Sequence, residues 1–276
     1  AVGTWVPWAQ SGVGAVATQA HADRTYGTQG LGLLENGDEA DMALMALLSA
    51  DEQRDFRQVA LVDAKGAVAA HTGRRCLPAA GHVTGPGYSA QGNMVANDGV
   101  WPAMVDAYLT ANGDLAQRLL TALDAAQAAG GDLRGQQTAA LLVVSGEPAP
   151  FPLVDLRVDR SMEPLVELRR LLRLQRAYTA EYTIPELVAN GDHELAMTRL
   201  DEIAAWAPDQ GYLHFLRAYH LAGRLDRWQE GLGVMQALVT SEPVWIEYLR
   251  RDRMADTFDL PGLADRFLDA LGDKDG

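Results

Sequence analysis

The chain has 276 residues, of which 48% are hydrophobic, so it is long enough for one large domain or two smaller ones with apolar cores. Its formal net charge of −14 at pH 7 repels phosphate backbones, and basic residues form only short runs such as Arg169-Arg170 with Arg173, so we expect no nucleic-acid partner. Cys76 is the single cysteine, which excludes an internal disulfide, and no apolar run reaches the roughly 18 residues of a membrane span, so we expect no membrane partner.

The first 160 residues show strand patterns before and after a pair of helices. In chain order the predicted elements are a strand over 12–19, helical segments within 25–50, a hairpin over 58–73 with its turn at 63–66, a long loop or irregular strand over 78–92, helices over 101–111 and 115–129, and strands over 138–144 and 152–159. This order favours a layered α/β or α+β domain over residues 1–160.

Residues 161–276 differ in kind, because they show helical patterns and almost no strand signal. They resemble tetratricopeptide helical hairpins, in which glycine, small, apolar and proline positions recur at fixed spacing. The positions that match are Gly191, Ala196, Leu200, Ile203 and Pro208 in one unit, then Tyr212, Phe215, Tyr219, Gly223, Gly231, Met235, Leu238 and Pro243 in the next. We therefore predict a second, all-α domain of helical hairpins.

Two short motifs near strands invite a functional interpretation. Gly12, Gly14 and Ala17 have the G-x-G-x-x-A spacing of a dinucleotide-binding turn, but the polar residues that follow lack the required amphipathic helix. Close packing within a sheet explains these small residues better, so we expect no cofactor. The segment GYSAQG at 87–92 misses the G-x-S-x-G of a nucleophile elbow by one residue.

Several other residues have one functional and one structural interpretation. His71, Cys76 and His82 are of the types that bind zinc, but their spacing fits no standard site, so we expect no metal. In GGDLRGQQTAALLVV at 130–144, Asp132 and Arg134 form either a clamp for a substrate's ammonium and carboxylate groups or an ion pair that braces the turn.

Five segments occur in one order over residues 5–172 and together resemble the bacterial domain-of-unknown-function family 1028. They are VPWAQSGVGAVATQAHADRTYGTQGL, VALVDAKGAVAAHTGRRC, GYSAQGN, QAAGGDLRGQQTAALLVV and VDLRVDRSMEPLVELRRLL. The resemblance implies an Ntn-hydrolase-like fold, which is a four-layer αββα sandwich of two sheets between helices. It also implies a short strand upstream of this sequence, because family members usually begin with one.

The resemblance further implies a candidate chemistry. In Ntn hydrolases a first residue Thr, Ser or Cys attacks an amide carbonyl while its own α-amino group takes the proton. Ala1 has neither hydroxyl nor thiol, so we expect the nucleophile upstream. By residue type and loop position we assign Gln91 and Asn93 as oxyanion or substrate hydrogen-bond donors, His71 as a polar wall of the cleft, and Asp132 and Arg134 as substrate clamp or brace.

Two function hypotheses follow. The first is an Ntn-type amide hydrolase that acts on a small amide or peptide-like substrate. The alternative is a non-catalytic interaction protein that binds a protein partner through the hairpins, with Tyr212, Tyr219 and Trp228 as contacts. A homo-oligomer is an open alternative for both. We favour a cytoplasmic location.

Overall fold

The computed structural model describes residues 2–273, so the expectation about Ala1, and residues 274–276 of the second predicted domain, lie outside the described part. The chain divides into two compact units, one up to Leu171 and one from Leu172 onward. The first unit combines helices with small antiparallel sheets, and the second is helical. This agrees with the predicted α+β class and the helical C-terminal region.

The strands of the first unit form one four-stranded sheet and two hairpins. They are β1 Pro7–Gln10, β2 Gly14–Ala20, β3 Arg57–Asp63, β4 Val68–Thr72, β5 Gly81–Gly85, β6 Tyr88–Gly92, β7 Ala139–Val143 and β8 Val154–Val158. The sheet has the order β1-β2-β3-β4, and all its pairs are antiparallel. Within the described residues, β6 pairs with β5 alone and β7 with β8 alone.

The helices follow the chain in three groups. Those of the first group are α1 Thr25–Glu35 and α2 Ala40–Ser49, and those of the second are α3 Val100–Thr110 and α4 Leu115–Ala128. The third group is α5 Pro164–Glu181, α6 Ile184–Ala189, α7 His193–Trp206, α8 Gly211–Tyr219, α9 Trp228–Ser241, α10 Val244–Ala255 and α11 Leu263–Ala270.

Helix α1 packs on the four-stranded sheet through its glycines. A Cβ at Gly27 would lie 2.2 Å from the Trp8 ring, and one at Gly30 would lie 3.1 Å from Val16 and 3.2 Å from Leu61. Glycine weakens a helix by roughly 0.5–1 kcal/mol relative to alanine. Here the small residue allows a close approach of helix to sheet, which accounts for the glycine-rich sequence of α1.

Helix α3 packs on the β5–β6 hairpin in the same way. Trp101 of α3 covers Gly81 of β5, where a Cβ would lie 2.5 Å from the indole ring. Trp101 is buried together with Ala90, Val95 and Val105. Helix α4 contacts α3 and β7. The two hairpins thus have their own helical cover, separate from α1 and α2.

The β5–β6 hairpin corrects the prediction of a long loop or irregular strand over 78–92. Its turn holds Pro86 followed by Gly87, which has a φ of +76°, the pattern of a type II turn. Strand β1 was also missed. The turn at Gly12 and Gly14 leads into β2, so the G-x-G-x-x-A motif begins a strand and not a helix.

The core of the second unit centres on Tyr219 and Phe215 of α8, whose ring centroids lie 4.4 Å apart. The Tyr219 hydroxyl donates a hydrogen bond of 2.7 Å to the buried carboxylate of Asp252 on α10. After α8 the chain continues as a π-helical turn, His220–Arg224. Across residues 2–273, no helix combines the length and the apolar character that a membrane crossing requires.

Candidate functional site

An apolar cavity of about 410 Å³, which we call the slot, separates the β5–β6 hairpin from the β7–β8 hairpin. Residues of β6 and β7 both line it, together with small residues of β1–β3 and apolar residues of α3 and α4. The lining includes Tyr88, Ser89, Ala90, Leu141, Val143, Ala9, Ala15, Val62, Val105, Tyr108, Leu119 and Ala122. The edges of β6 and β7 that have no strand partner among residues 2–273 therefore border one apolar space.

A second cavity of about 300 Å³, which we call the mouth, shares Met104 and Leu123 of the slot lining. Its walls carry six carboxamide side chains and one pair of opposite charges, which are Gln19, Gln91, Asn93, Gln127, Gln136, Gln137, Asp132 and Arg134. Four of the five predicted site residues thus meet at the mouth, although they come from two segments about 40 positions apart.

Asp132 and Arg134 bind each other at the rim of the mouth. Arg134 donates Nε–H and Nη2–H hydrogen bonds of 2.9 and 2.6 Å to the two oxygens of Asp132, and its backbone N–H donates a third of 2.8 Å. The guanidinium holds the pKa of the Asp132 carboxyl below its usual range. This geometry is that of a brace for the turn, in which each charge already has its partner.

The braced turn is fixed to the segment that carries Asn93. Leu133 donates its backbone N–H to Met94 O, and Ala96 donates to Gly131 O. Met94 has a φ of +55°, a backbone conformation that residues other than glycine and asparagine rarely adopt. Backbone strain of this kind clusters at functional sites, so it supports the mouth as the candidate site.

Gln58 of β3 is a residue of the site that the sequence analysis missed. Its side chain is fully buried, and its Nε2 group lies 2.8 Å from Gly92 O, 3.1 Å from Gly81 O and 3.1 Å from Thr72 Oγ1, so that two N–H bonds share three acceptors. Asn93 in turn donates Nδ2–H to Gln58 Oε1 at 2.8 Å. Gln58 therefore ties the four-stranded sheet to the β5–β6 hairpin and orients Asn93.

The hydrogen-bond chain continues from Thr72 to His82. The distance between Thr72 Oγ1 and His82 Nδ1 is 2.8 Å. Burial, together with the neighbouring His71, lowers the pKa of His82. The Thr72 hydroxyl and His82 Nδ1 share a hydrogen bond, and the same hydroxyl oxygen lies 3.1 Å from Gln58 Nε2, so polar contacts run from Gln58 through Thr72 to His82.

Gln91 lines the mouth together with Asn93, and only one of its two polar side-chain atoms has a hydrogen-bond partner in the described part of the chain. Its Nε2–H donates a hydrogen bond of 3.1 Å to the backbone oxygen of Ala17 on β2. Its Oε1 is buried and has no hydrogen-bond partner within the described part of the chain. Ser89, two residues earlier on the same face of β6, also has a buried and unpartnered Oγ there.

His71 and Cys76 lie away from the mouth. His71 lines a separate open groove with Asp41 and Arg54, and its Nε2 lies 2.9 Å from Arg54 O. Burial raises the pKa of the Cys76 thiol. No group of three potential metal-binding side chains occurs among residues 2–273. Because His71 lines this separate groove, it does not form a wall of the mouth.

Of the three aromatic residues assigned to partner binding, Tyr219 and Trp228 pack in the core of the second unit, and Tyr212 is half-buried against Phe215 and Trp245. Tyr219 is 2% exposed and hydrogen-bonded to Asp252. Trp228 stacks on Phe267, with the Arg266 guanidinium over its ring. A partner can reach neither Tyr219 nor the covered face of Trp228 while the core is intact.

The comparisons with known proteins concern mainly the first unit. Residues 1–168 match the family of unknown function DUF1028. The structure is similar to the crystal structure of protein SPO2555 from Silicibacter pomeroyi, family-model DUF1028, with 34% sequence identity and a TM-score of 0.58 over 63% of this chain and 74% of that chain. No curated protein matches the chain. Because the family model covers more than half of its residues, the chain belongs to the DUF1028 family.

Proposed function

We propose that the protein is an Ntn-type amide hydrolase whose reaction site is the mouth and whose nucleophile lies on a strand that precedes Ala1. The observation that carries this proposal is the slot, where two unpaired strand edges face one apolar space that leads to a polar cavity. An exposed strand edge presents a row of free N–H and C=O groups and favours pairing with another strand.

A strand in the slot would supply what both hairpins lack. It would hydrogen-bond to β6 on one side and β7 on the other, and its side chains would cover the apolar lining. The first described residues lie nearby, since a Cβ at Gly3 would be 3.0 Å from Ala140 of β7. A preceding segment is therefore within reach of the slot.

With that strand in place the first unit would be a four-layer αββα sandwich. The β5–β6 and β7–β8 hairpins would join into one five-stranded sheet, covered by α3 and α4, and the β1–β4 sheet would remain covered by α1 and α2. The bridge from Gln58 to Gly81 and Gly92, and the bond from Gln91 to Ala17, support the stacking of the two sheets.

The chemistry of the mouth suits an amide substrate. A hydroxyl or thiol at the start of the inserted strand would attack the amide carbon, its α-amino group would take the proton, and the amine would leave as the acyl-enzyme forms. Water would then release the acid. Asn93 and Gln91 each use one N–H internally, and their second N–H would stabilise the oxyanion.

Labelling with an electrophilic amide-hydrolase probe tests the proposal. We expect protein made from the complete reading frame to gain the mass of one probe, at its first residue, and to lose that gain when this residue is replaced by alanine. Unlabelled wild-type protein of native fold would contradict the proposed hydrolase.

We propose, as the finer description of the second unit, that α6 to α9 form tetratricopeptide-like hairpins. Ala196, Leu200 and Ile203 share the buried face of α7, and Met235 is buried on α9. A partner would then bind to exposed residues such as Tyr182, which is 81% exposed, and not to Tyr219. Loss of a defined partner from a chain that carries Tyr182→Ala would support this role, and unchanged binding would contradict it.

A further inference from the structure

Hydrogen bonds to buried groups behind the mouth fix the orientation of two of its carboxamides. Gly81 O and Gly92 O can only accept hydrogen bonds, so the Gln58 side chain must turn its nitrogen toward them. Its oxygen then faces Asn93, and an amide oxygen also only accepts. Asn93 must therefore present its nitrogen to Gln58, which leaves Asn93 Oδ1 without a hydrogen bond from any described residue.

Gln91 repeats this arrangement. The backbone oxygen of Ala17 obliges Gln91 to turn its nitrogen toward β2. The remaining Oε1 is buried without a partner among residues 2–273, and a buried acceptor is unfavourable unless something donates to it. Two carboxamides that line the mouth thus have side-chain oxygens to which no described residue donates, and neither can rotate without losing an internal bond.

We propose that Gln91 Oε1 and Asn93 Oδ1 form a binding site for a primary ammonium group. Amide oxygens accept N–H bonds, and bonds from a charged donor are roughly twice as strong as neutral ones. The field of the chain favours a cation, because the formal net charge is −14. Arg134 does not oppose it, because Asp132 neutralises that guanidinium through two side-chain hydrogen bonds.

The proposed ammonium site follows from the hydrogen bonds that orient Gln91 and Asn93, and it does not require the upstream nucleophile. The ammonium group has two sources. It belongs either to a bound substrate or to the α-amino terminus of a strand in the slot, and the experiment below separates them.

The test is a nuclear magnetic resonance titration of the 276-residue chain with methylammonium, followed through the side-chain amide signals of Gln91 and Asn93. Tetramethylammonium has the same charge but no N–H group and serves as the control ligand. We expect saturable shifts with methylammonium and binding at least about tenfold weaker for tetramethylammonium, because a charged hydrogen bond contributes about that factor. Equal binding of the two cations, or no shift with methylammonium, would overturn the proposal.

A matched pair of variants locates the site. Gln91→Leu removes the buried acceptor and should weaken methylammonium binding about tenfold. Gln236→Leu makes the same change at an exposed position of α9 and should leave binding unaltered. If Gln91→Leu binds methylammonium as the wild type does, then the acceptor pair is not the site.

The same titration of protein made from the complete reading frame identifies the source. Methylammonium should be excluded there if the α-amino terminus of the chain occupies the acceptors, and it should still bind if the natural ammonium belongs to a substrate. Neither result depends on catalysis, so failure of the hydrolase proposal and failure of this site are distinguishable.

Discussion

Gln58 holds two parts of the first unit together through a single carboxamide. It is 0% exposed, yet both its polar atoms have partners, since its two Nε2–H bonds share Gly81, Gly92 and Thr72 as acceptors and its Oε1 accepts from Asn93. A buried polar group with a full set of partners specifies one arrangement of the elements around it, because any shift leaves donors or acceptors unpaired.

Replacement of Gln58 by leucine should lower the free energy of unfolding by about 2–3 kcal/mol. The change keeps a similar volume but leaves the amide of Asn93 and two backbone oxygens without their partner, and each unpaired buried group costs roughly 1–3 kcal/mol. Urea unfolding measures this. Gln236→Leu at the surface should stay within about 0.5 kcal/mol of the wild type. Similar values for both variants would refute the role assigned to Gln58.

Asp51 makes the stability of the first unit depend on acid pH. Its carboxylate accepts from Arg57 Nε at 2.7 Å and from the Tyr26 hydroxyl at 2.9 Å, and the bond from Arg57 lowers the pKa of Asp51 below its ordinary value of 3.8. A carboxyl whose pKa is lower in the folded than in the unfolded state stabilises the fold when the pH is above the unfolded-state pKa. This contribution is lost as the pH falls through the folded-state pKa.

Asp51→Asn should therefore destabilise the protein by about 2 kcal/mol at pH 7, and the difference from wild type should shrink as the pH falls below about 4. Urea unfolding at pH 7, 5, 4 and 3 gives the comparison. A difference that stays constant over this range would show that the ionised carboxylate does not supply the stabilisation.

At the scale of elements, local sequence patterns predicted the segments in which apolar residues recur at the regular spacing of a helix or a strand. Helices α3 and α4, the β3–β4 hairpin and strands β7 and β8 were predicted within a few residues of their bounds. The β5–β6 hairpin was predicted as a long loop or irregular strand because three of its ten strand positions are glycines, Gly81, Gly85 and Gly92. Trp101 of α3 packs on Gly81, so packing from outside the hairpin stabilises a segment whose own composition predicts a loop.

Two glycines of α9 offer a matched test of helix packing in the second unit. A Cβ at Gly231 would lie 2.7 Å from Ala218 O on α8, whereas Gly233 has nothing within 4 Å. Gly233→Ala should stabilise the chain by about 0.5–1 kcal/mol through helix propensity. Gly231→Ala should destabilise it by about 1–3 kcal/mol, because α8 and α9 must separate. Thermal unfolding of both variants measures the contrast, and a stabilising Gly231→Ala would contradict the close contact.

At the scale of the whole molecule, the sequence supplied most residues of the candidate site but not their arrangement. Loop position and residue type identified Gln91, Asn93, Asp132 and Arg134, which all line the mouth. They did not show that Asn93 depends on Gln58, because one polar residue in the run QVALV resembles the solvent-facing side of a strand. The slot could not be predicted from the sequence either, because it depends on the fact that β6 and β7 do not pair with each other in the folded chain.

The slot and the mouth together give the account its central claim, that an upstream strand brings a nucleophile to the polar end of an apolar space. Intact mass and N-terminal sequencing of the native protein, made from the complete reading frame, test this claim most directly. We expect a mature chain that begins with Thr, Ser or Cys and continues through a strand-length apolar segment into residue 1. A native chain that begins at Ala1, or whose first residue has neither hydroxyl nor thiol, would contradict it.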